Sequence, residues 1–145
     1  MRAGRLWYNA PMAWLECVPN VSDGRDPRVL DRMTARLSGT PGVRLLDVHR
    51  DADHHRSVFT LVGEPPALTD AILGLCDEAV PAIDLRRHQG AHPRIGAVDV
   101  VPFVPVGHAT MDEAAGRQGD GHRLHVRQSA AAFAHGRRHG GGHVE

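Results

Sequence analysis

The stretch at residues 85–97, LRRHQGAHPRIGA, concentrates side chains that can do chemistry, with three arginines and two histidines between glycines and a proline. Pro93 biases the backbone of His92 toward an extended conformation. An imidazole titrates near neutral pH and can take a proton from an amine. Arg94, two residues later, can bind a carboxylate through two parallel hydrogen bonds. The pattern therefore indicates a general base beside a carboxylate-binding group.

Two other interpretations of this stretch are open from composition alone. One is a solvated loop with a structural histidine. The other is a metal site, because His88 and His92 form an H-x-x-x-H pattern. That spacing suits a metal on a helix, and the glycine and proline around His92 argue against a helix. We therefore expect no metal here.

A second group of polar residues lies further toward the N-terminus. Asp47 sits among apolar residues in a predicted strand, so it either faces outward or is a partnered functional group. The loop that follows holds Asp51, Asp53, His54, His55 and Arg56. For Asp51 and Asp53 a solvated, self-pairing turn is the simpler interpretation. Asn20 follows Pro19 at a strand end, where a turn role competes with ligand contact.

The elements that must position these residues can be predicted from spacing. Apolar runs and alternation predict strands at 13–18, 43–50, 56–62 and 98–104, with Pro102 favouring a sheet edge. Asp26 as N-cap with Pro27 behind it begins one helix, and Pro65 begins a second. The order predicts an α+β, ferredoxin-like βαββαβ sandwich, with a mainly antiparallel sheet and both helices on one face.

Length and composition narrow the class of protein. The 145 residues contain 17 arginines, no lysine and 17 acidic residues. This balance excludes a uniformly basic nucleic-acid binder and an acidic disordered protein. No apolar run reaches the roughly 18 residues that a membrane helix requires. Two cysteines, Cys17 and Cys76, are too few for a disulfide scaffold and favour a cytoplasmic protein.

The charges divide the chain into three segments. Residues 12–115 carry ten arginines and fifteen acidic residues, whereas both ends are basic. We interpret residues 1–11 as a disordered or non-native extension preceding Met12. In residues 116–145, 17 of 30 residues are Gly, Arg or His. Such a segment buries too little surface to offset its ordering entropy, so we expect disorder.

The origin and role of the tail have two interpretations. Arginine without lysine indicates codons rich in G and C, and a shifted reading frame after Ala115 would produce this composition. Alternatively, the tail binds metal through histidine pairs with ligand-like spacing. These pairs are His122 with His125 and His135 with His139. They lack cysteine or carboxylate partners, which favours the first interpretation.

Four segments together resemble one family. They are LECVPNVSDGRDP at 15–27, LLDVHRDADHHRSVFTLVGEP at 45–65, IDLRRHQGAHPRIGAVDVVPFVPV at 83–106 and TMDEA at 110–114. They resemble, in register over 12–115, the amino-terminal subdomain of glutamate formiminotransferase in the formiminotransferase-cyclodeaminase family. This family transfers a formimino group between N-formiminoglutamate and tetrahydrofolate, in histidine and one-carbon metabolism.

The resemblance implies roles for particular residues. It makes His92 the catalytic base, and Arg94, Arg56, Asp47 and Asn20 candidates for orienting glutamyl carboxylates or the pterin. Tetrahydrofolate would be a co-substrate, with no metal or redox cofactor. The chain departs from the family pattern at His55, where Asn is common before the arginine, and at Ala91, where an acidic residue is common.

The resemblance also implies a missing partner. Family members carry a second, similar subdomain, and the folate site lies between the two. The present sequence changes character where that half would begin, so we expect a truncated chain with weak or no activity. The alternative is a catalytically silent ferredoxin-like module that binds folate or another protein. Homodimerisation is left open.

The tail interpretation leads to a first prediction. Backbone amides of residues 116–145 should exchange with solvent at nearly unprotected rates, and a metal titration should give the same result with and without these residues. Hydrogen exchange and calorimetry measure the two. A packed element that buries Phe133 would contradict the prediction, as would coding DNA whose other frames after Ala115 are all closed.

Overall fold

The computed structural model describes residues 13–91 and 95–112. The described residues therefore do not include His92 and Arg94, whose roles are predicted above. Nor do they include the predicted terminal segments 1–11 and 116–145. The described elements are β1 Trp14–Cys17, β2 Asn20–Val21, α1 Pro27–Ser38, β3 Val43–Asp51, β4 Arg56–Gly63, α2 Pro65–Ala82, a short 3₁₀ helix Leu85–Arg87, and β5 Phe103–Val106. They form an α+β fold.

Helix α1 begins and ends where its sequence predicts. The Asp26 carboxylate accepts hydrogen bonds from the backbone N–H groups of Arg28 and Val29, which have no partner within the helix. Pro27 occupies the first helical position and Gly39 ends the helix. Both helices carry apolar residues at helical spacing on one face, and these residues are buried. They are Val29, Leu30, Met33 and Leu37 on α1 and Leu68, Ile72, Leu75, Cys76 and Ala79 on α2.

The sheet is built around β4. Strand β3 pairs with one side of β4, and β1 and β2 follow one another along its other side. Leu15 lies opposite Gly63 in the first of these pairings, and Asn20 lies opposite Val58 in the second. Strand β5 pairs with the free side of β1. All four pairings are antiparallel, so the expected antiparallel sheet is confirmed.

One face of the sheet forms the core with the helices. Alternate residues of β4 are buried, as a half-covered strand requires. The buried members are Ser57, Phe59, Leu61 and Gly63. Helices α1 and α2 contact each other, and both contact the sheet. Cys17 and Cys76 are both buried, and burial raises the pKa of Cys17.

One predicted strand boundary is wrong, and one short strand is additional. The strand expected at 13–18 is present as β1, and β2 follows it after Pro19, which has no N–H group to donate across the sheet. The last strand was expected at 98–104 but lies at Phe103–Val106. Pro102 likewise cannot donate, although its carbonyl accepts from the N–H of Val18 at 3.1 Å. Val98 forms only an isolated bridge with Val21.

Among the described residues, no helix combines the length and apolar character needed to cross a bilayer.

Two glycines give a paired stability prediction. A Cβ at Gly63 would lie 2.7 Å from the backbone oxygen of Gly42, whereas at Gly74 it would meet the guanidinium end of Arg36. Gly63→Ala should destabilise the fold by about 1–3 kcal/mol, because backbone cannot easily move aside. Gly74→Ala should be neutral or stabilise by up to about 1 kcal/mol, because Arg36 can swing toward solvent and alanine favours a helix. Urea unfolding measures both, and an equal loss at the two positions would contradict the assignment.

Candidate functional site

The segment that carries the predicted base begins at the 3₁₀ helix. Asp84 caps this helix by accepting from the backbone N–H of Arg86 at 3.1 Å. The guanidinium of Arg86 also donates to both carboxylate oxygens, at 2.8 and 2.9 Å. These hydrogen bonds, led by that of the Arg86 side chain, lower the pKa of Asp84 to about 2. The turn before residue 88 is therefore held by local polar contacts.

His88 attaches the start of this segment to the β3–β4 turn. Its ring stacks on the ring of His55, with centroids 4.3 Å apart and planes inclined by 25°. Its Nε2 lies 3.2 Å from the carbonyl oxygen of His55. Because a carbonyl oxygen can only accept, His88 must carry a proton on Nε2 to form this bond. One residue of the turn thus contributes both an aromatic face and an acceptor to His88.

Ser22 holds the far end of the same segment. Its buried hydroxyl donates to the carbonyl of Gly96 at 2.7 Å, and its backbone N–H donates to the carbonyl of Ala97 at 2.8 Å. Asp99 reinforces this end, because its carboxylate accepts from the N–H of Ile95 at 3.0 Å. The backbone N–H of Asp99 donates to the carbonyl of Asn20 at 2.8 Å. In sequence, His92 and Arg94 thus stand between two fastened ends.

The two attachment points are themselves joined through Asp23 and Gly24. The Asp23 carboxylate accepts from the N–H groups of Arg25 and Asp26, at 2.8 and 3.1 Å. The hydroxyl of Ser57 donates to the carbonyl of Asp23 at 2.6 Å, in a buried position. The N–H of Gly24 donates to Nδ1 of His55 at 3.0 Å. The run 22–24 therefore connects both ends of the 88–96 segment to the sheet.

Three predicted binding residues share one face of the sheet. Asn20 lies opposite Val58, and Asp47 lies opposite Thr60. Residues directly opposite one another project to the same face, as do alternate residues along a strand. Asn20, Asp47 and Arg56 therefore lie on the face that does not contact the helices.

The surroundings of Asn20 and Asp47 differ. Asn20 is half-buried, and its side-chain amide donates to the carbonyl of Val18 at 3.2 Å. Its turn role is thus partly realised. Asp47 is exposed and follows a bulge at Leu46 in β3. Asp47 thus faces outward, and its role in binding stays a prediction.

Arg56 carries a buried donor nitrogen, Nε, that can form a further hydrogen bond. Among the described residues its Nε is buried and has no hydrogen-bond partner. Asp51, directly opposite it in the sheet, does not supply one, since its carboxylate accepts from the backbone and ring of His54 at 2.9 and 2.6 Å. The backbone bond from His54 is the first cause of the lowered pKa of Asp51. The self-pairing turn expected at Asp51 is confirmed.

Sequence reasoning missed the residues that hold the site together. No role was predicted for Ser22, Asp23 or Gly24, although the run S-D-G directly after a strand signals a turn with side-chain hydrogen bonds. For His88 the only predicted role was that of a possible metal ligand, not a contact with the β3–β4 turn. Among the described residues no group of three or more His, Cys, Asp or Glu could hold a metal ion.

Comparison with known proteins bears directly on this arrangement. A family model described as "Formiminotransferase domain, N-terminal subdomain" matches residues 14–138. The chain belongs to the formiminotransferase family. The match includes every predicted site residue and most of the segment after Ala115, so the boundary at that residue stays a prediction.

Curated relatives of the chain carry formimidoyltransferase names. Glutamate formimidoyltransferase of Streptococcus pyogenes is 46% identical over 99 residues, which are 68% of this chain and 33% of that protein. Formimidoyltransferase-cyclodeaminase of Rattus norvegicus is 44% identical over 99 residues, 68% of this chain and 18% of that protein. Glutamate formimidoyltransferase of Thermoplasma acidophilum is 41% identical over 101 residues, which are 70% of this chain and 33% of that protein. The chain thus spans a third or less of these relatives.

The Asp84–Arg86 pair gives a prediction with a definite sign. Arg86→Gln should raise the pKa of Asp84 from about 2 toward its ordinary value of 3.8, since it removes the side-chain hydrogen bonds that lower this pKa most. Because the folded-state pKa is lowered, this carboxylate favours the folded turn above pH 4, and that contribution fades as the pH falls toward 2. Carboxyl ¹³C NMR titration measures the shift.

The neighbouring Arg87→Gln variant is the control. Arg87 acts on Asp84 only through charge at a distance, and this is the weakest contribution to the lowered pKa of Asp84. It should move the pKa of Asp84 far less than Arg86→Gln does. Equal shifts in the two variants would show that general charge, rather than the paired hydrogen bonds, sets this pKa.

Proposed function

We propose that this chain is the amino-terminal subdomain of a glutamate formimidoyltransferase, which transfers a formimino group between N-formiminoglutamate and tetrahydrofolate, with His92 as general base. The family match over residues 14–138 is the observation that carries this proposal. The fastening of residues 88 and 96 on either side of the motif supports it.

The proposed chemistry needs one proton acceptor. A folate nitrogen attacks the formimino carbon, and His92 takes the proton of that nitrogen as the tetrahedral intermediate forms. When the intermediate collapses, the bond from this carbon to the glutamate nitrogen breaks, and the leaving nitrogen takes the proton from His92. General acid–base catalysis of this kind contributes roughly 10²–10⁴-fold.

Charged and polar residues of the candidate site would orient the substrates. Arg56 offers a buried Nε without a partner among the described residues, and such a group gains most from an anionic ligand. We assign Arg56 and Arg94 to glutamyl carboxylates. Asn20 and Asp47 lie on the same sheet face as Arg56 and can exchange hydrogen bonds with an amide or pterin edge.

The wider assignments rest on the same family membership. We infer a ferredoxin-like fold, which the strand order β3–β4–β1–β5 supports because it suits a βαββαβ chain. Tetrahydrofolate acts as a co-substrate without a metal, in the cytoplasm. A second, similar subdomain would complete the site, and the present residues without such a subdomain would be weakly active, since catalysis depends on positioning both substrates.

The alternative is a silent module that binds folate or a protein partner without turnover. The coverage of only a third of the glutamate formimidoyltransferases favours this candidate. Binding without turnover distinguishes it from the enzyme.

The enzyme proposal is tested by turnover and binding together. Wild-type chain should convert N-formiminoglutamate and tetrahydrofolate slowly, and His92→Ala should lower kcat by ~10²-fold or more with little change in KM. Arg56→Met should instead raise KM, because it removes a carboxylate partner. Coupled kinetics and calorimetric titration with tetrahydrofolate measure these effects.

Arg44→Met is the matched control for Arg56, since Arg44 is an exposed arginine of β3. It should change neither constant. If turnover is undetectable and His92→Ala leaves folate binding unchanged, the enzyme proposal fails. Folate binding at wild-type strength in that case establishes the silent module.

A further inference from the structure

We propose that His55 and His88 form a positioning pair that fastens the start of the segment bearing His92 to the β3–β4 turn. The inference rests on the proposed function for the role of His92, but not for the contacts themselves. Neither residue is assigned a catalytic role, because each acts through the segment that it holds.

The first contact fixes the state of His55. Its Nδ1 accepts the N–H of Gly24 at 3.0 Å, so that nitrogen carries no proton, and the neutral ring is protonated on Nε2. The Oδ1 of Asp23 lies 3.5 Å from this Nδ1 and already accepts two backbone hydrogen bonds, and the His88 ring stacks on the His55 ring. The Gly24 bond thus fixes both the tautomer and the direction of the ring.

The backbone of His55 gives the second step. Its φ is +51°, in the left-handed region that few residues other than glycine adopt. Such a conformation persists only where the surroundings hold it. Here it presents the ring and the carbonyl oxygen of one residue together to His88, which stacks on the first and lies in hydrogen-bond distance of the second.

Close packing leaves this turn little freedom to move. A Cβ on Gly24 would meet the backbone oxygen of Asp51 and lie 2.7 Å from the backbone nitrogen of Arg56. The segment that donates to His55 therefore touches the backbone on both sides of the turn. A displacement of His55 would have to move Gly24, and Gly24 is continuous with Ser22, which fastens Gly96.

The consequence concerns His92, four residues after His88. His88 and Gly96, the residues four positions before and four positions after His92 in sequence, are both fastened. A misplacement of about 1 Å at a catalytic group can cost ~10²-fold in rate. Loss of the His55–His88 contact should therefore affect kcat more than substrate binding.

The variants separate stacking from backbone conformation. His55→Asn keeps a residue that tolerates positive φ and supplies an oxygen to the N–H of Gly24, but it removes the ring. His88→Gln keeps a donor for the carbonyl of His55 and also removes a ring, while leaving the turn intact. His108→Asn, at an exposed position after β5, is the matched control.

Hydrogen exchange and histidine-ring NMR test the pair without depending on turnover. In His55→Asn the amides of residues 89–91 and 95–96 should exchange at least ~10-fold faster than in wild type, with the unfolding midpoint nearly unchanged. The ring resonances of His92 should broaden or shift. His88→Gln should act similarly, and the double variant should be no worse than either single one, because paired residues act as a unit.

Each result decides the proposal. Unchanged exchange and unchanged His92 resonances in both single variants would overturn it, and so would fully additive effects in the double variant. If His55→Asn fails to fold, His88→Gln alone decides. Should wild type lack turnover, the proposed function fails separately, while loss of protection in these variants still supports the positioning pair. With turnover present, a fall in kcat at constant KM is expected, and an unchanged kcat would overturn it.

Discussion

The site depends on the absence of a side chain at Gly24. With only a hydrogen there, the run Ser22–Gly24 can lie directly on the backbone of Asp51 and Arg56. From that position the Gly24 N–H reaches the ring of His55, and Ser57 reaches the carbonyl of Asp23. A bulkier residue would separate these strands, and the attachments of His88 and Gly96 would be lost with them.

The candidate site is therefore assembled from three distant segments. Residues 20–24, 54–57 and the described parts of 88–99 meet at the end of β4, and hydrogen bonds join each segment to another. Arg56 brings a buried Nε without a partner among the described residues. Under the proposed function this arrangement would provide one wall of the binding site, in a chain that spans a third or less of its relatives.

Much of the fold was predictable because local rules agree with the tertiary structure. The capping carboxylate of Asp26, Pro27 and the apolar spacing of Val29 to Leu37 all indicate the same helix. Strand ends were less predictable. Strand β2 follows β1 after Pro19, and the last strand lies several residues later than expected, at Phe103–Val106. In both places the strand boundary depends on which carbonyl groups of a neighbouring strand receive a hydrogen bond from an N–H group. The sequence of a single strand does not carry that information.

By itself, the sequence determined the class of fold, the family and the types of residue available for chemistry, because these follow from periodicity, capping and a long specific motif. Only the tertiary structure decided how those residues are held. It left Arg56 Nε without a partner in the described region and stacked His88 on His55. This stack joins residues 33 positions apart, and its geometry is set by close backbone packing at Gly24, which no local pattern encodes.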